Sequence, residues 1–234
     1  MPLRLVVHDP AALRARCSTG RVRTSRTEPG YEPGAVLTPT RWQPLSARAA
    51  ERLRADDADA DSTLVEIVRP PAGAELDTLA DPLGDPESVY LGQVSARPGL
   101  ATTTDNHEVG LRIGLHLDNW DKLSYARKHT GRRRLCLNLG PGPRYVVLGA
   151  VDAQLICRAL HTDYARRYPH TDDLRAYAAR WDMSCIRIRL APGEGYIAPT
   201  EYLPHDGSTD GVAVPSTAAF WLGDWSRGVL PSLI

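Results

Sequence analysis

An imidazole and a carboxylate two residues apart make a chelate when the backbone between them is extended. His116 and Asp118, in the run GLHLDNWD at 114–121, have that spacing. In a strand, residues i and i+2 point to one side, so both can reach a single ion. In a helix they diverge by about 200°. The HxD spacing occurs at three places: His116/Asp118, His161/Asp163 and His170/Asp172. The second falls within a predicted helix. The third falls at a helix start, where Asp172 reads as a first-turn acid that suits the helix dipole. Only the first has the geometry of a chelate; its other reading is a buried structural polar pair.

A third candidate ligand is His205, which follows PGEGYIAPTEYLP. A Pro-Gly turn, a short apolar strand and a second Pro can carry the chain across the mouth of a barrel and return an imidazole to the same ion. The alternative is a loop histidine beside Asp206 and Gly207. Two His and one carboxylate on rigid strands occupy one face of an octahedral ion and leave positions open, which suits Fe(II) of the oxygenase kind. A closed structural zinc site normally has a fourth protein ligand.

The elements that must position these residues are read from periodicity. HEVGLRIGLHLDNW alternates, with Leu111, Ile113, Leu115 and Leu117 on one side and Arg112, Gly114, His116 and Asp118 on the other. RRRLCLNLG (132–140) and RYVVLG (144–149) are two strands joined by the turn PGP. The period then changes. Val151, Leu155, Ile156, Ala159 and Leu160 mark one helix face. A second helix follows Pro169, with Thr171 as its N-cap and Leu174, Tyr177, Ala178 and Trp181 inward. SCIRIRL (184–190) and 212–225 are further strands. Upstream, 18–44 reads as irregular, 45–61 as a short surface helix capped by Ser46, 62–68 and 88–96 as strands, and 70–87 as a long loop. Strands on both sides of a helical insert at 151–182, with tight Gly/Pro corners, favour an antiparallel barrel or sandwich over a βαβ fold.

Composition narrows the function. The 234 residues suffice for one core and fall short of two full enzyme domains, so a single domain 1–234 is expected. Within it, 1–87 is the flanking segment and 88–225 the core. Lys plus Arg and Asp plus Glu number 28 each, so no net field recommends nucleic acid or an anionic membrane. There is no apolar run long enough for a spanning helix. MPLRLVVHDP lacks a signal peptide's long apolar segment. Cys17, Cys136, Cys157 and Cys185 form no CxxC pair and read as reduced cytosolic thiols. Abundant Arg and Ala with scarce Lys suggest a GC-rich bacterial genome.

With these residues in view, the run 107–225 resembles the double-stranded β-helix (the cupin-type jelly roll) of the Fe(II)/2-oxoglutarate-dependent oxygenases. HLD followed by a distal His after PGEGYIAP is similar to the JmjC-type and related branches. The resemblance implies a mostly β fold with flanking helices, and Fe(II) held by His116, Asp118 and His205. It also implies a cation inside the fold for the far carboxylate of 2-oxoglutarate, since a buried unpaired carboxylate is costly. Many members place an Arg about ten residues after the distal His. Here DGSTDGVAVPSTAAFW stands there without one. An earlier strand then supplies it, with Arg144 and Arg134 as candidates, Asn138 as a neutral partner, and Ser216 and Thr217 as added hydroxyls. The other reading of RRR is a solvated strand start. Trp120, Asn119, Glu201 and Tyr202 could meet substrate; Trp120 could equally be core and Glu201 a surface carboxylate.

The implied activity is hydroxylation or desaturation of a small molecule or amino-acid side chain, in bacterial biosynthesis. It is coupled to decarboxylation of 2-oxoglutarate, with dioxygen as the other partner. Asp118 disfavours halogenation, because halogenating relatives lack the carboxylate. The expected protein is cytoplasmic, with no nucleic-acid or membrane partner and with a homodimer as an option. The alternatives are a metal-dependent cupin isomerase or dioxygenase that does not use 2-oxoglutarate, and a non-catalytic jelly-roll binding module.

Overall fold

A computed structural model describes residues 3–56, 63–71, 79, 83 and 85–234. Among them the chain is mostly β, arranged in three sheets. The six-stranded sheet has the order β1 (Arg4–Leu5), β6 (Leu64–Val68), β13 (Gly195–Ala198), β10 (Arg133–Pro141), β15 (Ser216–Gly223) and β7 (Val89–Ala96). It is antiparallel except for the β1–β6 pair. The five-stranded sheet is antiparallel throughout: β14 (His205–Ser208), β11 (Arg144–Gly149), β12 (Ser184–Leu190), β2 (Cys17–Arg21) and β5 (Gln43–Pro44). A smaller sheet joins β3 (Arg23–Thr24), β4 (Tyr31–Leu37), β9 (Leu111–Gly114) and β8 (Asp105–Asn106).

Period-two patterning sets which side chains meet. On β10, Leu135 and Leu137 point to one side and pack with Ile197, Ala219 and Trp221. Cys136, between them, points to the other side. There it joins Tyr196 and Ala218 of its own sheet and Val146, Leu148, Ile186 and Ile188 of the five-stranded sheet. This cluster is the core, and the two large sheets face each other across it without closing into a barrel. Val147 and Cys185 point to the far side of the five-stranded sheet. There they pack against Ile156 of helix α3 (Ala153–Leu160) and Leu174 of helix α4 (Thr171–Ala178). Because β11 is covered on both faces, its sequence reads as a continuous apolar run.

The expected strands at 144–149 and 184–190 are found with those bounds, that at 132–140 moves by one residue at both ends, and that at 88–96 starts one residue later. Several expectations change. The segment 18–44 contains four short strands, β2 to β5. Strand β2 is held by pairing with β12 from the far half of the chain, a non-local contact that its own pattern does not announce. An unforeseen helix, α1 (Pro10–Arg16), starts where Asp9 accepts from the backbone N–H of Ala11 and Ala12. Thus β1, β2, β5 and β6, all from 1–87, enter the two large sheets. Ser46 does cap helix α2 (Ala47–Leu53), which ends short of the anticipated 61. The cap of α4 is His170 rather than Thr171. The His170 ring accepts from the Asp172 N–H, and the Asp173 side chain accepts from the His170 N–H, closing a capping box. Trp181, expected inward, is 42% exposed and lies against Tyr177. His161 is not within a helix; it caps the C-terminus of α3. Ser62 and most of the anticipated 70–87 loop lie outside the described residues. Among the described residues no helix is long and apolar enough to cross a membrane.

Candidate metal centre

Of the alternating run at 107–118, only Leu111–Gly114 is a strand; 107–110 form a turn. Gly114 has φ +76 and sits so close to Val36 that an added Cβ would strike the Val36 carbonyl. Glycine tolerates both conditions. Beyond it the chain lies beside the approach to β14. His116 and His205 exchange backbone hydrogen bonds of 3.1 and 3.0 Å, and the Asp118 N–H donates to the Thr200 carbonyl at 3.0 Å. Directly opposed residues share a face, so the two imidazoles meet. Asp118, two residues on, returns to the same face. Leu115 and Leu117 point away, into separate apolar clusters. Thr171 of α4 fixes the Leu117 peptide at both ends: its hydroxyl accepts from the N–H and donates to the carbonyl.

His116, Asp118 and His205 are all buried, and their ligand atoms lie within 4.8 Å of one another, a group that could hold a metal ion. His116 Nε2 is 3.7 Å from Asp118 Oδ1, and His205 Nε2 is 3.7 Å from Asp118 Oδ2. Each ring's Nδ1 faces a carbonyl two residues back: Gly114 O at 3.0 Å and Leu203 O at 3.3 Å. With the Nδ1 proton donated there, the Nε2 lone pairs converge. Burial lowers the His205 pKa well below its ordinary value; the nearby Asp118 opposes this, while His116 and Arg134 add to it. Burial pushes Asp118 upward, but Arg134, His205 and His116 outweigh it and bring its carboxyl down to about 2. A lowered His205 and a lowered Asp118 favour the neutral imidazole and ionised carboxylate that binding to a divalent cation requires. His205 Nε2 is buried without a hydrogen-bond partner, whereas Asp118 Oδ2 has the Arg134 guanidinium beside it. Such an orphan is costly unless something fills the space beside it. A cation between the three donors would satisfy it, so the residues fit a metal ion.

A cavity of roughly 220 Å³ opens beside the triad, lined by His205, Arg134, Arg144, Tyr196, Phe220 and Trp120 among others. Arg134, from β10, reaches Asp118 Oδ2 at 2.8 Å and lies over the Phe220 ring. Arg144, at the start of β11, is 4% exposed. Its Nη2 donates to the Thr103 hydroxyl at 3.3 Å, and its Nη1 has no partner. Among the described residues no carboxylate lies within ion-pair distance of it. A buried cation without an anion is an anion-binding site in waiting. Gly207 leaves the room that this guanidinium occupies; a Cβ there would collide with it.

The other candidates fall elsewhere. Asn138 is spent on backbone, donating to Gly142 O and Leu190 O while accepting from Gly140 N. Ser216 is buried with its hydroxyl unpartnered, and Thr217 meets Ser95; neither lines the cavity. Trp120 does, and is 53% exposed. Glu201 is no surface carboxylate. It is fully buried in an ion pair of 2.7 Å with the equally buried Lys128, whose ammonium also donates to Asp118 O and Asn119 Oδ1. Glu201 also accepts from the Asp121 N–H. This pair ties the segment after the HxD to the approach of His205. The Tyr202 hydroxyl donates to Gln154. Sequence reasoning missed Lys128, and it passed over Asp206 as a turn residue although it belongs to β14. No protein-family model matches the chain, and no curated protein does either.

Proposed function

We propose that the protein is a mononuclear non-haem oxygenase dependent on Fe(II) and 2-oxoglutarate, which hydroxylates or desaturates a small molecule or an amino-acid side chain. The observation that carries this reading is the buried His116–Asp118–His205 face opening onto a cavity with two arginines. Strand order supports a double-stranded β-helix. In sequence, β7, β10, β13 and β15 belong to one large sheet. The 114–118 run, β11, β12 and β14 line up on the other, the first through the His116–His205 bridge.

In this reading His116, Asp118 and His205 hold the iron, and a ferrous ion so held supplies dioxygen activation coupled to decarboxylation of the oxo acid. The chain's residues do the rest. Arg144 takes the far carboxylate of the oxo acid with its free Nη1. Arg134 keeps Asp118 ionised and lines the space between. Phe220 and Trp120 give the cavity an apolar wall for the substrate. Asp118 supplies the carboxylate that favours hydroxylation or desaturation over halogen transfer.

Wild-type protein with Fe(II) is expected to consume 2-oxoglutarate and release succinate. His116→Ala should abolish this without loss of fold. Turnover at the parental rate in that variant would refute the ligand assignment. A second reading draws on Arg134: the cation nearest the triad is already engaged by Asp118, as a metal-dependent cupin that does not use 2-oxoglutarate would tolerate. In that case the metal binds and the oxo acid does not.

A further inference from the structure

Asp206 is as buried as the triad and has no part in it. Its Oδ1 accepts from four donors on one neighbouring segment: the N–H and hydroxyl of Thr103 at 3.2 and 3.4 Å, and the N–H and hydroxyl of Thr104 at 3.2 and 2.9 Å. Its Oδ2 has no hydrogen-bond partner and stands 3.8 Å from His116 Nδ1. Covalently, Asp206 is the neighbour of His205. One carboxylate is therefore anchored on one side, joined through the backbone to one metal-site imidazole, and faces the outer nitrogen of the other.

We propose that Asp206 is a positioning residue of the metal centre. It fixes the His205–Asp206 peptide against Thr103 and Thr104, and it holds the His116 ring with Nδ1 protonated and Nε2 turned to the ion. A carboxylate beside the outer nitrogen of a metal-bound imidazole sets the tautomer, orients the ring and raises its basicity. The Gly114 carbonyl takes the Nδ1 hydrogen directly. Asp206 Oδ2 places a carboxylate oxygen 3.8 Å from the same nitrogen. The spacing between Nδ1 and Oδ2 is longer than a hydrogen bond, so the effect is electrostatic and orienting.

This inference rests on His116 and His205 being metal ligands, and the test separates the two claims. Cobalt(II), added to metal-free protein without any oxo acid, is followed by its visible ligand-field bands. Asp206→Asn keeps the size and one acceptor oxygen, but it presents an amide in place of the carboxylate to His116. It should weaken cobalt binding tenfold or more, within the range usual for loss of an outer carboxylate, and should alter the band positions. Thr104→Val, which removes the shortest of the four anchors and leaves the carboxylate, should weaken binding less. It decides the matter alone if Asp206→Asn does not fold. His116→Ala should lose cobalt binding outright. If the folded Asp206 and Thr104 variants bind cobalt as the wild type does while His116→Ala does not, the role of Asp206 is refuted and the metal site stands. If neither the wild type nor any variant binds cobalt, the metal reading itself is refuted.

Discussion

At the scale of single residues, the proposed chemistry depends on groups that burial leaves unsatisfied. His205 Nε2 and Arg144 Nη1 are each cut off from water without a hydrogen-bond partner; in the proposed reading the metal answers the first and the oxo acid the second. Arg144 makes the sharpest case, because among the described residues no carboxylate lies within ion-pair distance of it. Arg144→Met should raise the Kd for 2-oxoglutarate at least tenfold, in keeping with about 1.5–3 kcal/mol for a charge-assisted hydrogen bond. Metal affinity should stay unchanged, both being read by calorimetric titration. An unchanged affinity for the oxo acid would assign the cation role elsewhere, with Arg134 the next candidate. The shared face of His116 and Asp118 was legible in the sequence because i,i+2 spacing on extended backbone constrains direction; that of His205 rested on the turn and short apolar segment before it. Glu201 was not: a carboxylate reads as a surface group until its buried partner is known, and Lys128 stands far off in the chain with no pattern linking the two.

At the scale of elements, the site is held by a crossing of two segments. The 116–118 run and the 200–205 approach share three backbone hydrogen bonds. The Lys128–Glu201 pair bolts the same two segments together outside the ligands. Removing one member of a buried pair strands the other charge. Lys128→Met should therefore cost about 3–5 kcal/mol in urea unfolding, whereas Lys128→Met combined with Glu201→Leu should recover most of it. A single variant as stable as the wild type would show that the pair does not fasten the crossing. The strands bearing Arg134 and Arg144 were readable because their apolar residues alternate or run unbroken. The four short strands of 18–44 were not. They are fixed by partners such as β12 rather than by any period of their own, and close approaches such as Gly20 against Pro39 look like turn signals in sequence.

At the scale of the whole molecule, the two large sheets enclose one core, and the thiols are sealed within the fold. Burial raises Cys17 and Cys185 to about 12, so neither carries thiolate at neutral pH. Native protein treated with iodoacetamide at pH 8 should leave both unmodified by mass spectrometry, and addition of urea should expose them. Rapid labelling of the native protein would contradict the packing. The large-scale layout, β strands around a helical insert, was legible from the switch between the two periods. The contribution of residues 1–87 to both sheets was not, since pairing across such sequence distance leaves no local trace. The most direct test of the account is anaerobic addition of 2-oxoglutarate to the Fe(II)-loaded protein, followed by visible absorption. The account predicts a charge-transfer band that His205→Ala abolishes and Arg144→Met shifts to higher oxo-acid concentration. Bound iron with no band at any concentration of the oxo acid would contradict it.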